Sequence, residues 1–133
     1  MKTFCTIYFL TILGLSAHLF QDPALEESVQ RGSEIYADFC VTCHLEKGEG
    51  VMGTFPPLAK SDYLMKNREA SIRGVKYGQQ IEIMVNGVTY NSAMPDPGLE
   101  DEEIADVINY ILNSWGNSSD EMVTVDEVEV IQK

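Results

Sequence analysis

The five residues Cys40-Val41-Thr42-Cys43-His44 restrict the fold of this chain more than any other feature of its sequence. A Cys-x-x-Cys-His run is the signature of covalent haem attachment. In this interpretation both thiols add to the vinyl groups of the haem as thioethers, and His44 offers an imidazole nitrogen to the iron. The chain then has to fold around a large, flat cofactor that cannot dissociate.

Three other uses of a close cysteine pair agree less well with the rest of the chain. A structural zinc site needs four ligands, but the only further cysteine and histidine, Cys5 and His18, lie in or beside the N-terminal segment. A thioredoxin-like pair belongs to a βαβ context, which the helix-and-loop pattern here does not provide. A simple disulfide would leave His44 and the loops after it unexplained.

Residues 1–20 are predicted to be a secretory signal peptide. Lys2 precedes an apolar run from Phe4 to Leu15, and small residues follow at Ser16 and Ala17, which is the order typical of an export signal. The run is short for a membrane span, which needs about 20 apolar residues. We therefore expect an exported, periplasmic protein. The alternative is an uncleaved N-terminal anchor, and only in that case would the protein contact a membrane.

The chain without this segment is strongly acidic. Removing residues 1–20 takes away one base and no acid, which leaves eight bases against 21 acids, a net charge of −13. Such a charge disfavours binding to nucleic acid or anionic lipid. It suits a redox protein partner with a basic docking face, because complementary charge raises the rate of encounter. The alternative is that the acidity only keeps an exported protein soluble.

Hydrophobic spacing predicts an all-α domain over residues 21–116. Apolar residues at three- and four-residue steps indicate a helix from Ala24 to Cys40 with one buried stripe. Gly32 lies on that stripe. Since glycine weakens a helix by about 1 kcal/mol relative to alanine, we expect another backbone to pass close to it. Ser61 and Asn67 are expected to cap two further short helices.

The closing helix is the clearest element, and its apolar positions recur at helical spacing at Ile104, Val107, Ile108, Ile111, Leu112 and Trp115. Asp106 and Asn109 fall opposite, which indicates a polar face. Before this helix, Asn86-Gly87 between two β-prone runs predicts a small hairpin. After it, residues 117–133 form an acidic C-terminal tail that either carries a short helix capped by Thr124 or lies over the domain.

Most methionines of the mature region are poorly placed to be the second axial ligand of a haem iron. Met52 is only eight residues past His44, too near to cross to the other haem face. Met65 and Met84 are predicted to point into the core, and Met122 lies beyond the closing helix. Position therefore excludes four methionines and leaves one.

Met94 is the predicted second ligand. It lies in a loop just before the closing helix, between Ala93 and the prolines Pro95 and Pro97. A thioether ligand has to be held firmly, and proline restricts the backbone around it. Thioether ligation opposite His44 also raises the reduction potential.

Taken in order, these motifs resemble the class I (mitochondrial-type) monohaem cytochrome c family, particularly bacterial cytochrome c domains. The motifs are Gly32-x-x-x-Tyr36, the run from Cys40 to His44, Phe55-Pro56-Pro57-Leu58, Ala93-Met94-Pro95 and Asp101-Glu102-Glu103-Ile104 with Tyr110. The resemblance implies a class I cytochrome c fold of three to five short helices around one haem c and its iron. It also implies that Gly32 and Tyr36 pack against Tyr110, and that the carbonyl of Pro56 or Pro57 accepts a hydrogen bond from His44.

The function implied is electron transfer between redox proteins, with both axial positions filled and no catalytic residue. One alternative is a haem subunit permanently docked on a periplasmic dehydrogenase or reductase. A less favoured alternative is a five-coordinate haem sensor or enzyme, which needs an open iron position. The groups that bind the haem propionates stay unassigned, with Arg73, Tyr90 and Trp115 as candidates.

Overall fold

The structure, a computed structural model, describes residues 22–133, so the predicted signal peptide at residues 1–20 lies outside the described residues. The helices are α1 (Pro23–Phe39), α2 (Val41–His44), α3 (Asp62–Lys66), α4 (Arg68–Tyr77), α5 (Asp101–Leu112) and α6 (Val125–Glu129). Strands β1 (Ile83–Val85) and β2 (Val88–Tyr90) form an antiparallel hairpin. The predicted helical fold with one small hairpin is confirmed. Within residues 22–133, no helix is long and apolar enough to cross a membrane.

Helices α1 and α5 cross closely and form the centre of the domain. Helix α1 begins at Pro23, where the Asp22 carboxylate accepts a hydrogen bond from the Ala24 N–H. At the crossing, a Cβ on Gly32 would collide with the carbonyl oxygen of Asp106. The close backbone approach predicted from Gly32 is therefore confirmed, and it explains a glycine in the interior of a helix.

Two polar side chains of α5, Asp106 and Asn109, are buried, contrary to the prediction that they form a polar outer face. The Asp106 carboxylate accepts hydrogen bonds from the Ser28 hydroxyl at 2.6 Å and from the Arg31 guanidinium at 2.6 and 2.8 Å. The Asn109 amide donates to Ser28 and to the Val123 carbonyl, and accepts from the Val123 N–H. These bonds satisfy the buried groups, as burial requires, and they show that a second layer of chain covers α5.

That second layer is the segment 117–133, which we call the C-terminal strap. Its side chains Val123, Val128 and Ile131 are buried and belong to the main hydrophobic core. The strap carries the short helix α6, whose Thr124 hydroxyl accepts a hydrogen bond from the Glu127 N–H at 3.3 Å. The short helix predicted to be capped by Thr124 is confirmed.

Arg68, at the start of α4, ties the strap to the domain. Its guanidinium donates to both carboxylate oxygens of Glu127 at 2.7 Å and to the carbonyl oxygens of Glu121 and Met122 at 2.9 Å. A two-pronged contact of this kind is stronger than an ordinary surface ion pair. The hydrogen bonds from Arg68 hold the pKa of the Glu127 carboxyl below its ordinary value of 4.5.

This ion pair predicts an acid-dependent loss of stability. A carboxyl whose pKa is lower in the folded than in the unfolded state stabilises the fold at pH above its unfolded pKa. This stabilisation is lost as the pH falls through the folded pKa. We therefore expect the urea midpoint of the wild type to fall more steeply below about pH 5 than that of Glu127→Gln. The matched control is Glu129→Gln, an exposed carboxylate on the same helix. Parallel curves for Glu127→Gln and the wild type would contradict this role.

Two predicted core residues point outward. In the hairpin, Ile83 pairs with Tyr90 and the turn residues Asn86 and Gly87 have φ of 50° and 80°, as the turn signal predicts. Alternation along β1 buries Val85 and leaves the Met84 side chain 63% exposed. The prediction that Met84 packs in the core is therefore wrong.

The predictions for α3 and α4 are also correct only in part. Helix α3 buries Leu64 rather than Met65, which is 42% exposed. The Ser61 hydroxyl caps α3 by accepting a hydrogen bond from the Leu64 N–H, as predicted. Asn67 occupies the cap position of α4, but its amide donates back to the Tyr63 carbonyl instead of capping.

Candidate haem site

The attachment motif lies where α1 ends and α2 begins. The Cys40 N–H closes α1 by donating to the Tyr36 carbonyl at 2.9 Å, and the His44 N–H donates to the Cys40 carbonyl at 3.0 Å. Cys40 and Cys43 therefore lie on one turn, with His44 directly after them. Both thiols are free and partly buried.

His44 is buried and held in one orientation. Its Nδ1 lies 3.0 Å from the carbonyl oxygen of Pro56, so Nδ1–H donates and Nε2 keeps a free lone pair. Burial lowers the pKa of His44, and the hydrogen bond to Pro56 opposes this only in part. The imidazole is therefore neutral at pH 7, the form that can bind a metal. Of the two prolines implied by the resemblance, Pro56 makes the contact.

Burial also acts on the first cysteine of the motif. Burial, and to a smaller extent the neighbouring Cys43, raise the pKa of the Cys40 thiol to about 11. Because the thiolate is the reactive form, Cys40 stays protonated and unreactive at neutral pH.

Two adjoining cavities open beside the motif. The main cavity has an apolar wall that includes Leu58, Leu64, Val75, Val85, Ile108 and Ile111. Cys40 lines the main cavity and Cys43 lines the smaller side cavity. Both cavities share the lining residues His44, Pro56, Gln79, Ile83 and Met94. We call the two cavities together the cleft.

Met94 reaches the cleft from a backbone bridge. Its N–H donates to the Gln79 carbonyl and its carbonyl accepts from the Gln79 N–H, both at 2.8 Å. The structure thus brings the predicted residues Cys40, Cys43, His44 and Met94 to one cleft. It also adds Gln79 and Ile83, which line both cavities and carry no sequence motif.

The three propionate candidates occupy different places. Trp115 packs against Tyr36 and Tyr110, with ring centroids 4.9 and 5.3 Å apart. Tyr36 and Tyr110 are themselves 5.4 Å apart, which confirms the packing implied by the resemblance. Tyr90 is buried and lines the side cavity. Arg73 is bound to Glu69 and to a strap carbonyl.

Comparison with known proteins agrees with this geometry. The family model for cytochrome c matches residues 29–115, well over half of the chain. The chain belongs to the cytochrome c family. Cytochrome c-552 of Thermus thermophilus is 44% identical over 92 residues, which are 65% of this chain and 70% of that protein.

Two further relatives are named as cytochrome c subunits of dehydrogenases. The cytochrome c subunit of alcohol dehydrogenase (quinone) from Gluconobacter oxydans is 31% identical over 103 residues, 76% of this chain and 22% of that subunit. The gluconate 2-dehydrogenase cytochrome c subunit from Pantoea cypripedii is 31% identical over 108 residues, 78% of this chain and 24% of that subunit. The chain thus spans less than a quarter of either dehydrogenase subunit.

Membership of the cytochrome c family gives the cofactor and the kind of activity. The protein carries covalently bound haem c with its iron, and it is an electron carrier rather than a catalytic enzyme. The cleft fits this cofactor, because free thiols, a neutral oriented imidazole and a thioether converge on one apolar space. Bound haem iron supplies reversible one-electron chemistry.

Proposed function

We propose that Cys40 and Cys43 hold the haem covalently and that His44 and Met94 are its axial ligands in a periplasmic electron carrier. The single observation that carries the proposal is that His44 and Met94 line both cavities of the cleft. The Pro56 carbonyl fixes the imidazole through Nδ1 and raises its basicity. The apolar wall excludes water, which favours a thioether over a water ligand.

Two filled axial positions distinguish a carrier from a sensor or enzyme. With His44 and Met94 both in place, the reduced wild-type holoprotein should not bind carbon monoxide and should titrate as a reversible one-electron couple. The measurement is an optical titration under carbon monoxide beside an electrochemical titration. Stoichiometric carbon monoxide binding by the wild type would favour the five-coordinate alternative.

A groove beside the attachment motif is the docking face that we propose for a basic partner. Four acids, Glu34, Asp38, Glu102 and Glu103, line it between α1 and α5, together with Arg31, whose guanidinium is paired with Asp106. Phe39, which precedes Cys40, also lines the groove with its side chain 52% exposed. An apolar contact ringed by acids, next to a cofactor attachment residue, suits a redox protein with a basic surface. The same face serves a free carrier and a subunit that docks on a dehydrogenase.

This docking face predicts a local salt dependence. We expect the electron-transfer rate with hexaammineruthenium, a cationic reagent, to fall as ionic strength rises, because charges are screened beyond about 8 Å at physiological salt. The triple variant Glu34→Gln/Asp38→Asn/Glu102→Gln should react roughly 3- to 10-fold more slowly at low salt and lose most of this dependence.

The matched control removes the same number of charges from the strap, as Asp120→Asn/Asp126→Asn/Glu129→Gln. It should keep the wild-type salt dependence in the same stopped-flow experiment, because these exposed residues do not line the groove. Equal losses in both triple variants would show that only the net charge matters. A flat salt dependence in all three proteins would mean that the acidity serves solubility.

A further inference from the structure

We propose that Gly78 and Gln79 form a clamp that positions Met94, and that the C-terminal strap holds this clamp through Tyr77. The inference rests on the proposed axial role of Met94. It assigns the positioning to backbone contacts from the end of α4, in addition to the prolines that follow Met94 in sequence.

The first contact is the bridge between Gln79 and Met94. Their two backbone hydrogen bonds, both 2.8 Å long, fix the N–H and the carbonyl of the same residue. With both groups held, Met94 cannot rotate about its own backbone without breaking one of the bonds. The side chain therefore leaves the bridge in one direction.

The second contact requires glycine at position 78. Gly78 has φ of 74° and ψ of 172°, a region that is almost closed to other residues. A Cβ there would lie 2.7 Å from the Met94 carbonyl oxygen, 2.9 Å from the Asp96 nitrogen and 3.2 Å from the Pro95 carbonyl carbon. The Met94 loop therefore rests directly on the backbone of Gly78.

The clamp is seated on α4 by a second glycine. A Cβ on Gly74 would lie 3.0 Å from the Gln79 side-chain oxygen, so the Gln79 side chain lies against the bare helix surface there. Both Gly74 and Gln79 line the main cavity. The wall of the cleft and the support of Met94 are thus one continuous piece of chain.

The strap fixes the end of α4 immediately before the clamp. The Tyr77 hydroxyl donates to the Ile131 carbonyl at 2.9 Å, and the Lys76 ammonium donates to the Val128 carbonyl at 2.8 Å. Val128 and Ile131 are buried, so these carbonyls belong to a rigid part of the strap. The strap therefore holds Tyr77 in place, Tyr77 holds the clamp, and the clamp holds Met94.

A looser clamp should let an added ligand compete with Met94. An external ligand binds only the fraction of molecules in which Met94 has left, so its apparent affinity is proportional to that fraction. The probe is imidazole, titrated optically into the oxidised holoprotein. We expect Gly78→Ala to bind imidazole about tenfold more tightly than the wild type, equivalent to about 1.4 kcal/mol. Tyr77→Phe should bind it roughly threefold more tightly.

The matched control is Gly53→Ala. Gly53 has the same φ of 74°, but no atom lies within 4 Å of the position of its Cβ. This variant carries the backbone strain without contact to Met94, so its imidazole affinity should equal that of the wild type. Urea midpoints of all variants, measured in parallel, separate a loose ligand from a less stable fold.

Each outcome decides a different statement. If Met94→Ala binds imidazole no more tightly than the wild type, the proposed axial role of Met94 is wrong. If Met94→Ala binds it far more tightly but Gly78→Ala and Tyr77→Phe do not, the axial role stands and the clamp is refuted. Should Gly78→Ala yield no holoprotein, Tyr77→Phe decides alone, since it removes one hydroxyl and leaves the ring.

Discussion

The Met94→Ala holoprotein is expected to bind carbon monoxide when reduced and to lose the optical band of methionine-ligated ferric haem. Removal of the thioether leaves one protein ligand, His44, and an open iron position. Its reduction potential should fall, because thioether ligation raises the potential. We expect its imidazole affinity to rise at least about 100-fold, the factor that applies if the position is open in about 1% of wild-type molecules.

Two exposed methionines serve as matched controls for this experiment. The side chains of Met84 and Met65 face solvent, so Met84→Ala and Met65→Ala should keep the band. Surface changes of this kind usually alter the free energy of unfolding by no more than about 0.5 kcal/mol. If Met84→Ala abolishes the band and Met94→Ala does not, the ligand has been assigned to the wrong residue.

The double variant Cys40→Ala/Cys43→Ala should contain no covalently bound haem. The two thiols are the only cysteines that the structure describes in residues 22–133, and each is expected to form one thioether. Each single variant should retain at most one of these bonds and accumulate poorly. The measurement is haem retention after acid-acetone extraction, read from a haem-stained denaturing gel.

Thr42→Ala is the control for the attachment experiment. Thr42 lies within the same motif and its side chain is exposed, so its loss should leave covalent haem at the wild-type level. Normal haem retention in the double cysteine variant would contradict covalent attachment at these positions.

Local signals in the sequence predicted the elements around the cleft correctly. The spacing of α1 and α5, the cap at Ser61 and the Asn86-Gly87 turn all depend on residues within a few positions of one another. The close approach at Gly32 also followed from one local fact, a glycine on a buried helical stripe. Such features can be predicted without knowing how distant parts of the chain pack.

The burial of Asp106 and Asn109 could not be predicted from such local signals. Helical periodicity assigns polar residues to solvent, whereas here Ser28, 78 positions from Asp106 in sequence, and the strap residue Val123 supply their partners. Such pairings depend on which distant segment covers a helix face. The acidic, valine-spaced sequence of residues 117–133 gave no strong signal that it would do so.

The sequence also failed to predict the exposure of the Met84 and Met65 side chains, for a different reason. Each lies in an element of three to five residues, which is too short for periodicity to settle which side faces the core. A shift of one residue along β1 exchanges the buried and exposed faces. The clamp at Gly78 and Gln79 likewise appears only when the Met94 loop is seen resting on it.

Mass spectrometry of the proteolysed holoprotein is the decisive test of covalent attachment at Cys40 and Cys43. We expect a single peptide that contains residues 40–44 and carries the mass of one haem, joined through both Cys40 and Cys43. Recovery of that peptide from purified, native protein with both thiols free, or joined to each other as a disulfide, would contradict it.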